Sequence, residues 1–345
     1  MARALFLAER GLGTTTPNPV VGAVVLDTHG VIVGQGAHRV AGGPHAEVYA
    51  LDAAGDAARG GTLYCTLEPC CHTGRTGPCT DRILRAGIRR VVIAHEDPNP
   101  RVAGGGIAVL EAHGIEVERG VLRDVASWQN APFFTWVQHG RPHVTLKIAV
   151  SREGAVGRAD ARVMLSGPDT NRAMHRQRAA VDAIAVGANT VLIDDPLLTV
   201  RESYRVRPLV RVILDRRERV PMAARVFGTL AAGPVIMVVG DPASAHARAL
   251  VDAGVTVWPW EEPTGISGLL ARLGQEGIVR LLLEGGPTVQ RAFWDAGMID
   301  RVQVIETSVS LPDGVSGFVP PRPERVRTQA FRSDRLVEWD VHRLG

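Results

Sequence analysis

The chain has four cysteines, Cys65, Cys70, Cys71 and Cys79, and all of them fall within one short stretch of its 345 residues. Upstream, the segment PHAEV sets His45 and Glu47 two positions apart. No other feature restricts the fold as tightly, because the ligands of one metal ion must converge on a common point. The first residues, MARALFLAERGLG, carry apolar side chains at helical spacing but are interrupted by Arg3, Glu9 and Arg10, so they lack the unbroken apolar centre of a secretory signal. No stretch approaches the ~20 apolar residues of a membrane span. The sequence therefore predicts a cytoplasmic location and no membrane partner; there thiols stay reduced, and clustered cysteines bind metal more often than they pair.

His45 and Glu47, followed by TLEPCCHTGRTGPC with Cys70 and Cys79, form the H-x-E…P-C…C arrangement of zinc deaminases. Three protein ligands leave a fourth position open for water, whose pKa the metal lowers toward ~7. Glu47, beside the metal but not bound to it, is placed to shuttle protons to a ring nitrogen and a departing amine. A cysteine after Pro69 is expected at a helix start, where a thiolate is favoured. Eight residues separate Cys70 from Cys79, more than in the commonest signature, and His72 and Arg75 in this loop could reach over the pocket. The competing reading is a closed structural zinc site with Cys71 or Cys65 as fourth ligand. It leaves Glu47 unexplained, and a cysteine on a strand, such as Cys65, would point elsewhere.

The length suits two domains, divided here as 1–140 and 141–345. In the first, VVGAVVLD, TLYCTL, RRVVIAHED and IEVERGV alternate with helical segments, which predicts a mostly parallel sheet covered by helices. A linker is expected around Asn130 to Pro142. Beyond it PHVTLKIAVS, VDAIAVG, LVRVILD, PVIMVVG, VTVWPW, IVRLLLEGG and RVQVIE repeat the strand–helix rhythm of a second α/β domain. The Pro- and Arg-rich tail from Pro320 is expected to pack poorly, apart from a last strand in RLVEWDVHRLG.

A net charge of +3 with 5% aromatic residues suits a small anionic substrate and argues against nucleic acid. Around the cysteines, Arg75, Arg82, Arg85, Arg89 and Arg90 have only Tyr49 and Tyr64 as nearby aromatics, too few for a base-stacking groove.

TTTPNPVVGAVV, PHAEV, TLEPCCHTGRTGPC and DPNPRVAGGGI resemble, in order and spacing, the deaminase half of the bifunctional riboflavin-biosynthesis deaminase/reductases. RPHVTLKIAVS, MHRQRAAVDAIAVGANTVLIDDPLLTVR and LLLEGGPTV resemble the reductase half, so the match covers roughly residues 1–305. The resemblance implies a cytidine-deaminase-like αβα first domain and a dihydrofolate-reductase-like second one. It also implies zinc-dependent deamination of 2,5-diamino-6-ribosylamino-4(3H)-pyrimidinone 5′-phosphate, then NADPH reduction of the ribosyl chain to ribityl. Carried onto this sequence, it puts zinc on His45, Cys70 and Cys79, makes Glu47 the proton shuttle and sets Asn18 against the pyrimidine. Where the family carries Lys, this chain has Gly105, which bears on a phosphate contact.

By the same resemblance Met164, Thr190, Asp194 and the turn from Gly286 through Pro287 and Thr288 to Ala292 contact NADPH. Lys147, Arg178, Leu198, Arg201 and Glu284 hold the substrate, and Arg216 meets the 2′-phosphate. Phosphate suits an arginine fork and the N–H groups of a Gly-rich helix start. Three positions depart from the family pattern: Glu153 within SREG, Met164-Leu165-Ser166 in place of an aromatic-led run, and ETSVSLPDGVSGF beyond Ile305. These leave open an active deaminase with an impaired second domain. A homo-oligomer, dimer or tetramer, is expected of such domains.

Overall fold

The β-branched run after Asn18 supplies the first strand of the first of two units into which the chain divides, Met1–Gly140 and another beginning at Arg141. The computed structural model describes residues 1–72, 77–99 and 103–341. Unit one runs α1 (Ala2–Ala8), β1 (Gly22–Leu26), β2 (Ile32–Ala37), α2 (Ala46–Ala54), β3 (Thr62–Cys65), α3 (Cys79–Arg85), β4 (Arg90–Ile93), α4 (Gly105–Ala112), β5 (Glu116–Arg119) and α5 (Arg123–His139). Its sheet has the order β2-β1-β3-β4-β5. The pairs β3–β4 and β4–β5 are parallel, whereas β1 runs antiparallel to both β2 and β3. The sheet is thus mixed, not mostly parallel, because β2 turns straight back on β1. The Asp27 carboxylate accepts the N–H groups of His29 and Val31 to close that turn.

β2 escaped the sequence reading because Gly34 and Gly36 interrupt its apolar pattern. Both glycines make room for α2. A Cβ on Gly34 would lie 2.0 Å from the Ala50 carbonyl oxygen, and one on Gly36 2.1 Å from that of Ala46. The helix that carries Glu47 can therefore settle directly on the sheet.

The segment expected as a linker is instead the second half of α5. Pro132 lies inside this helix, yet the buried Phe133 and Phe134 pack into the core of unit one and outweigh the missing backbone bond. Fully buried Asn130 accepts the N–H of Val20 at 3.0 Å and donates to its carbonyl at 2.9 Å, serving β1's approach much as another strand would.

Unit two contains β6 (His143–Val150), β7 (Ala155–Gly157), α6 (Pro168–Ala180), β8 (Ala183–Gly187), α7 (Ala188–Asp194), β9 (Val210–Leu214), β10 (Val235–Val239), α8 (Ala245–Asp252) and β11 (Thr256–Pro259). It continues with α9 (Gly265–Gln275), β12 (Arg280–Leu283), α10 (Pro287–Asp295), β13 (Arg301–Glu306), β14 (Val315–Ser316), β15 (Arg327–Ala330) and β16 (Arg335–Asp340). Nine strands form one sheet in the order β11-β10-β9-β8-β12-β6-β13-β16-β15. The seven from β11 to β13 are parallel; β16 and β15 close the edge antiparallel. Along β8, Ala183 and Ala185 face the core with Leu270 of α9 and Phe293 of α10, and Ile184 and Val186 face the core with Leu250 of α8. Helices cover both faces, which is why β10 is apolar and buried throughout and β12 follows buried Arg280 with three buried leucines. The tail follows its composition: residues 321–325 and 327–330 are exposed, and the strand expected in RLVEWDVHRLG is β16, whose Leu336, Val337 and Trp339 are buried, while the last four residues, 342–345, lie outside the described ones.

Asn130→Ala leaves the buried N–H and C=O of Val20 without partners. Unit one is expected to lose about 2–4 kcal/mol, read as a lower urea midpoint for loss of the fold around β1.

Candidate active sites

The first site gathers around the start of α2. His45 is the residue just before the helix and keeps an extended backbone, and Glu47 lies in the first turn. His45 Nδ1 is 3.2 Å from Cys79 Sγ and 3.5 Å from Cys70 Sγ, and the three candidate ligand atoms lie within 4.8 Å of one another. Tetrahedral zinc with sulfur at about 2.3 Å and nitrogen at about 2.0 Å sets its ligand atoms roughly 3.5 Å apart, so the donor set fits zinc. Among the described residues neither Cys65 nor Cys71 joins this group, which removes the basis for a closed four-ligand knot.

The helix start expected at Cys70 belongs to Cys79, the first residue of α3; Cys70 lies in the irregular segment before it. The helix still serves Cys70, whose sulfur accepts the Cys79 N–H at 3.4 Å. The hydrogen bond from the Cys79 thiol, aided by His45, pulls the Cys70 thiol down to about 4, and the same bond together with burial pushes Cys79 upward. Glu47 is 3% exposed, and its Oε2 has no hydrogen-bond partner. Burial pushes its pKa up.

Two further residues shape this site, and the sequence reading missed both. Buried His38 has Nδ1 3.0 Å from the Pro44 carbonyl, to which it donates, so its Nε2 accepts from the Asn18 amide at 3.2 Å. Burial holds His38 below the usual histidine range and so neutral, which orients the Asn18 side chain. Glu68, 4% exposed, accepts the N–H groups of Asp97, Gly104, Gly106 and Ile107, which draws these residues of DPNPRVAGGGI to the turn before Cys70. Burial, with Glu68 nearby, lifts Asp97 to about 6. Only the geometry of the site reveals these roles; the sequence signal was a histidine ending β2 and a glutamate within TLEPC. A Cβ at Gly105 would come within 2.9 Å of Cys71 Sγ, so a larger residue there requires that thiol to shift. His72 is exposed, and Arg75 lies outside the described residues. Arg82 pairs with Asp52, Arg85 with Asp81, and Arg90 with Glu116 and Glu118, so carboxylates offset much of the local positive charge.

The second site is a cavity of about 870 Å³ in unit two. Lys147, Met164, Arg178, Thr190, Asp194, Leu198, Arg201, Glu284, Gly286 and Pro287 all line it, which brings together residues from widely separated segments. Thr288 sits in the first turn of α10 and is not part of the lining. Arg216 is also outside it: its guanidinium stacks 4.9 Å over the Trp260 ring and lies 3.3 Å from Glu262. At the cavity's polar end Arg178 grips Glu284 through both carboxylate oxygens. Burial alone would raise Glu284, but Arg178 and Lys147 hold it at about 2. Burial in turn lowers Lys147, and Glu284 opposes this.

The Gly-rich turn is tight for a packing reason. A Cβ on Gly285 would meet Thr190 Oγ1 at 2.6 Å, and one on Gly187 would meet Val289 at 2.6 Å, so α10 can begin hard against the ends of β8 and α7. Gly286 has φ +73°, and Pro287 opens the helix. Such a start presents free N–H groups and suits a pyrophosphate.

Two of the departures from the family pattern prove to be one structure. The Glu153 carboxylate accepts from Ser151 Oγ at 2.8 Å, Ser310 Oγ at 2.7 Å and the Leu311 N–H at 2.7 Å, and those bonds hold it at about 2. They clip the segment after Ile305 to the turn before β7, where β14 pairs with β7. Val156, Gly157 and Val315 of that ribbon line the cavity. Met164 is 59% exposed at the cavity wall, with its sulfur 3.6 Å from Arg162 Nη2.

Comparisons with known proteins match both units of the chain. Residues 1–95 match the family model described as the cytidine and deoxycytidylate deaminase zinc-binding region, and residues 142–318 match that of the RibD C-terminal domain. The chain is 41% identical over 317 residues to the riboflavin biosynthesis protein RibD of Aquifex aeolicus, covering 92% of this chain and 88% of that protein. Against RibD of Escherichia coli it is 38% identical, covering 88% and 85%. The crystal structure of the Thermotoga maritima deaminase/reductase superposes with a TM-score of 0.84 at 35% identity, covering 98% of this chain and 96% of that one. A structure of Acinetobacter baumannii RibD gives 0.83 at 33%, with the same coverage.

The purified protein is expected to carry about one zinc per chain, and Cys79→Ser to lose most of it. Elemental analysis after gel filtration measures both; full zinc retention by the variant would remove Cys79 from the ligand set.

Proposed function

The chain belongs to the RibD family of bifunctional riboflavin-biosynthesis deaminase/reductases, and from that premise we propose how its residues divide the two reactions. The enzyme hydrolytically deaminates 2,5-diamino-6-ribosylamino-4(3H)-pyrimidinone 5′-phosphate and then reduces the ribosyl side chain of 5-amino-6-(5-phosphoribosylamino)uracil. Deamination is assigned to residues 1–140 and reduction to 141–345.

In the deaminase, His45, Cys70 and Cys79 hold zinc. Zinc in that site supplies the Lewis acidity that makes a water molecule nucleophilic at neutral pH. The observation that carries the reading is Glu47, a buried carboxylate two residues from a ligand, with Oε2 left without a partner. Glu47 accepts a proton there and returns protons to the ring nitrogen and the departing amine. Asn18, turned by His38, hydrogen-bonds the pyrimidine and sets the amine-bearing carbon toward Glu47.

In the reductase, NADPH is the reductant, and its nicotinamide supplies the hydride. Gly286, Pro287 and Thr288 receive its pyrophosphate at the start of α10, and Thr190, Asp194 and Met164 line its path. Lys147, Arg178, Leu198, Arg201 and Glu284 hold the phosphoribosyl substrate. Glu284 keeps its charge through Arg178, so the pair can orient sugar hydroxyls without itself exchanging a proton near neutral pH. Arg216, steadied by Trp260 and Glu262 outside the cavity lining, would hold the cofactor's 2′-phosphate. The protein acts in the cytoplasm, as a homo-oligomer, dimer or tetramer, on small phosphorylated pyrimidines.

Glu47→Gln is expected to keep its zinc and lose at least about 100-fold in ammonia release; near-normal deamination would overturn the role given to Glu47. Wild-type protein supplied with the deaminated substrate is expected to oxidise NADPH in preference to NADH. Arg216→Ala should shrink that preference about tenfold or more, through KM for NADPH.

A further inference from the structure

At one point in the reductase cavity two hydrogen-bond donors face each other. His175 on α6 lines the cavity together with Arg172, Arg178 and Arg201. Positions 172, 175 and 178 follow at helical spacing, which turns their side chains to the same side. The backbone N–H of Arg201 donates to His175 Nδ1 at 3.3 Å. That nitrogen is therefore an acceptor, and a neutral ring carries its proton on Nε2. Nε2 lies 3.1 Å from Arg201 Nη2. A guanidinium has only donors, so this second contact is N–H facing N–H with no acceptor between them.

Protonating His175 would not relieve the conflict, since it would sacrifice the bond at Nδ1 and add a positive charge beside Arg201. Burial, with the charges of Arg178 and Arg201, holds the histidine below its ordinary range, opposed by Glu284 and Glu202. The remaining cations nearby are engaged differently: Arg178 is taken up by Glu284, and Arg172 lies 3.4 Å from Asp169 and 3.8 Å from Glu202.

The convergence is built into the backbone. Asp195, Leu198 and Glu202 have φ of 38°, 53° and 55°, a region that non-glycine residues seldom occupy, so this segment is held in a costly path that brings Arg201 back to α6. The Arg205 guanidinium fastens it there by donating to the carbonyls of Arg178, Ala179 and Val181 at the end of α6.

We propose that His175 Nε2–H and the Arg201 guanidinium together grip the 5′-phosphate of the reductase substrate, making His175 a substrate-binding residue. The inference rests on the reductase function stated above. A phosphate monoester fits because its oxygens accept from two converging donors at once. The cofactor's 2′-phosphate offers the same chemistry. The substrate is favoured because His175 lies one turn of α6 from Arg178, which grips Glu284, whereas Arg216 lies outside the cavity lining.

The test is calorimetric titration of wild type, His175→Ala and His175→Gln with ribose 5-phosphate and with ribose, alongside steady-state kinetics. His175→Ala should bind ribose 5-phosphate about 10- to 100-fold more weakly, as expected for one hydrogen bond to a charged group. Ribose binding should not follow, and His175→Gln, which keeps an N–H at similar reach, should recover most of the loss. In turnover, the alanine variant should raise KM for the phosphorylated aminouracil and lose the preference over its dephosphorylated form. Equal losses on both forms would mean that His175 only supports the loop, and would overturn the proposal. A loss confined to discrimination between NADPH and NADH would also overturn it, by assigning the clamp to the cofactor. Failure of wild type to oxidise NADPH would instead refute the reductase reading, while the ribose 5-phosphate titration still decides the role of His175.

Discussion

The first active site depends on seating one helix against one sheet at backbone distance. His45, Cys70 and Cys79 come from the start of α2, the turn after Pro69 and the start of α3, and they meet only because α2 rests on β2 with no side chains between them at Gly34 and Gly36. A methyl group at either glycine would strike a helix carbonyl, and the shift needed to relieve it would be comparable to the tolerance of a metal site. Glu47 rides on the same helix, so the base and the first ligand share one rigid element. Glu68 performs the matching task on the opposite side, collecting four backbone N–H groups so that the segment leading into α4 closes against Pro69.

The reductase cavity is organised by charge more than by close packing. Arg178 and Glu284 form a buried pair, and buried Arg211, which pairs with no carboxylate among the described residues, donates to the carbonyls of Leu197, Val226 and Thr229. A guanidinium satisfied by carbonyls costs much less to bury than an unpaired one, and its fork ties several loops to one strand. The path that presents Leu198 and Arg201 is thus fixed from behind by Arg211 and from the side by Arg205. The ribbon of β7 and β14 is fixed by Glu153. Glu153 and the segment after Ile305, both departures from the family pattern, thus meet in one wall of the cavity.

Much of this was legible in the sequence where chemistry and spacing coincide. His45, Glu47, Cys70 and Cys79 announce themselves because few other arrangements need those residue types in that order. The parallel strands of unit two were visible as continuous apolar runs, since both faces of their sheet are covered. β2 was hidden by the glycines that make it useful, and α5 by Pro132, whose local preference gave way to the burial of Phe133 and Phe134. His38, Glu68 and His175 were illegible for a different reason: each acts through a partner distant in sequence, and nothing local distinguishes it from an ordinary polar residue. Arg216 was legible as an arginine just after a strand, and the structure adds what steadies it, the Trp260 ring and Glu262.

The bond between Asn130 and Val20 spans 110 positions of sequence. At about 5–20 residues per second, a ribosome needs several seconds to about twenty to make the second partner after the first. Within that interval all three metal ligands are synthesised, Cys79 last, and for the 51 positions from there to Asn130 the chain that completes their sheet is still missing. The first unit is therefore sealed by its own last helix, and the nascent thiols spend that time within reach of solution metal before their surroundings close.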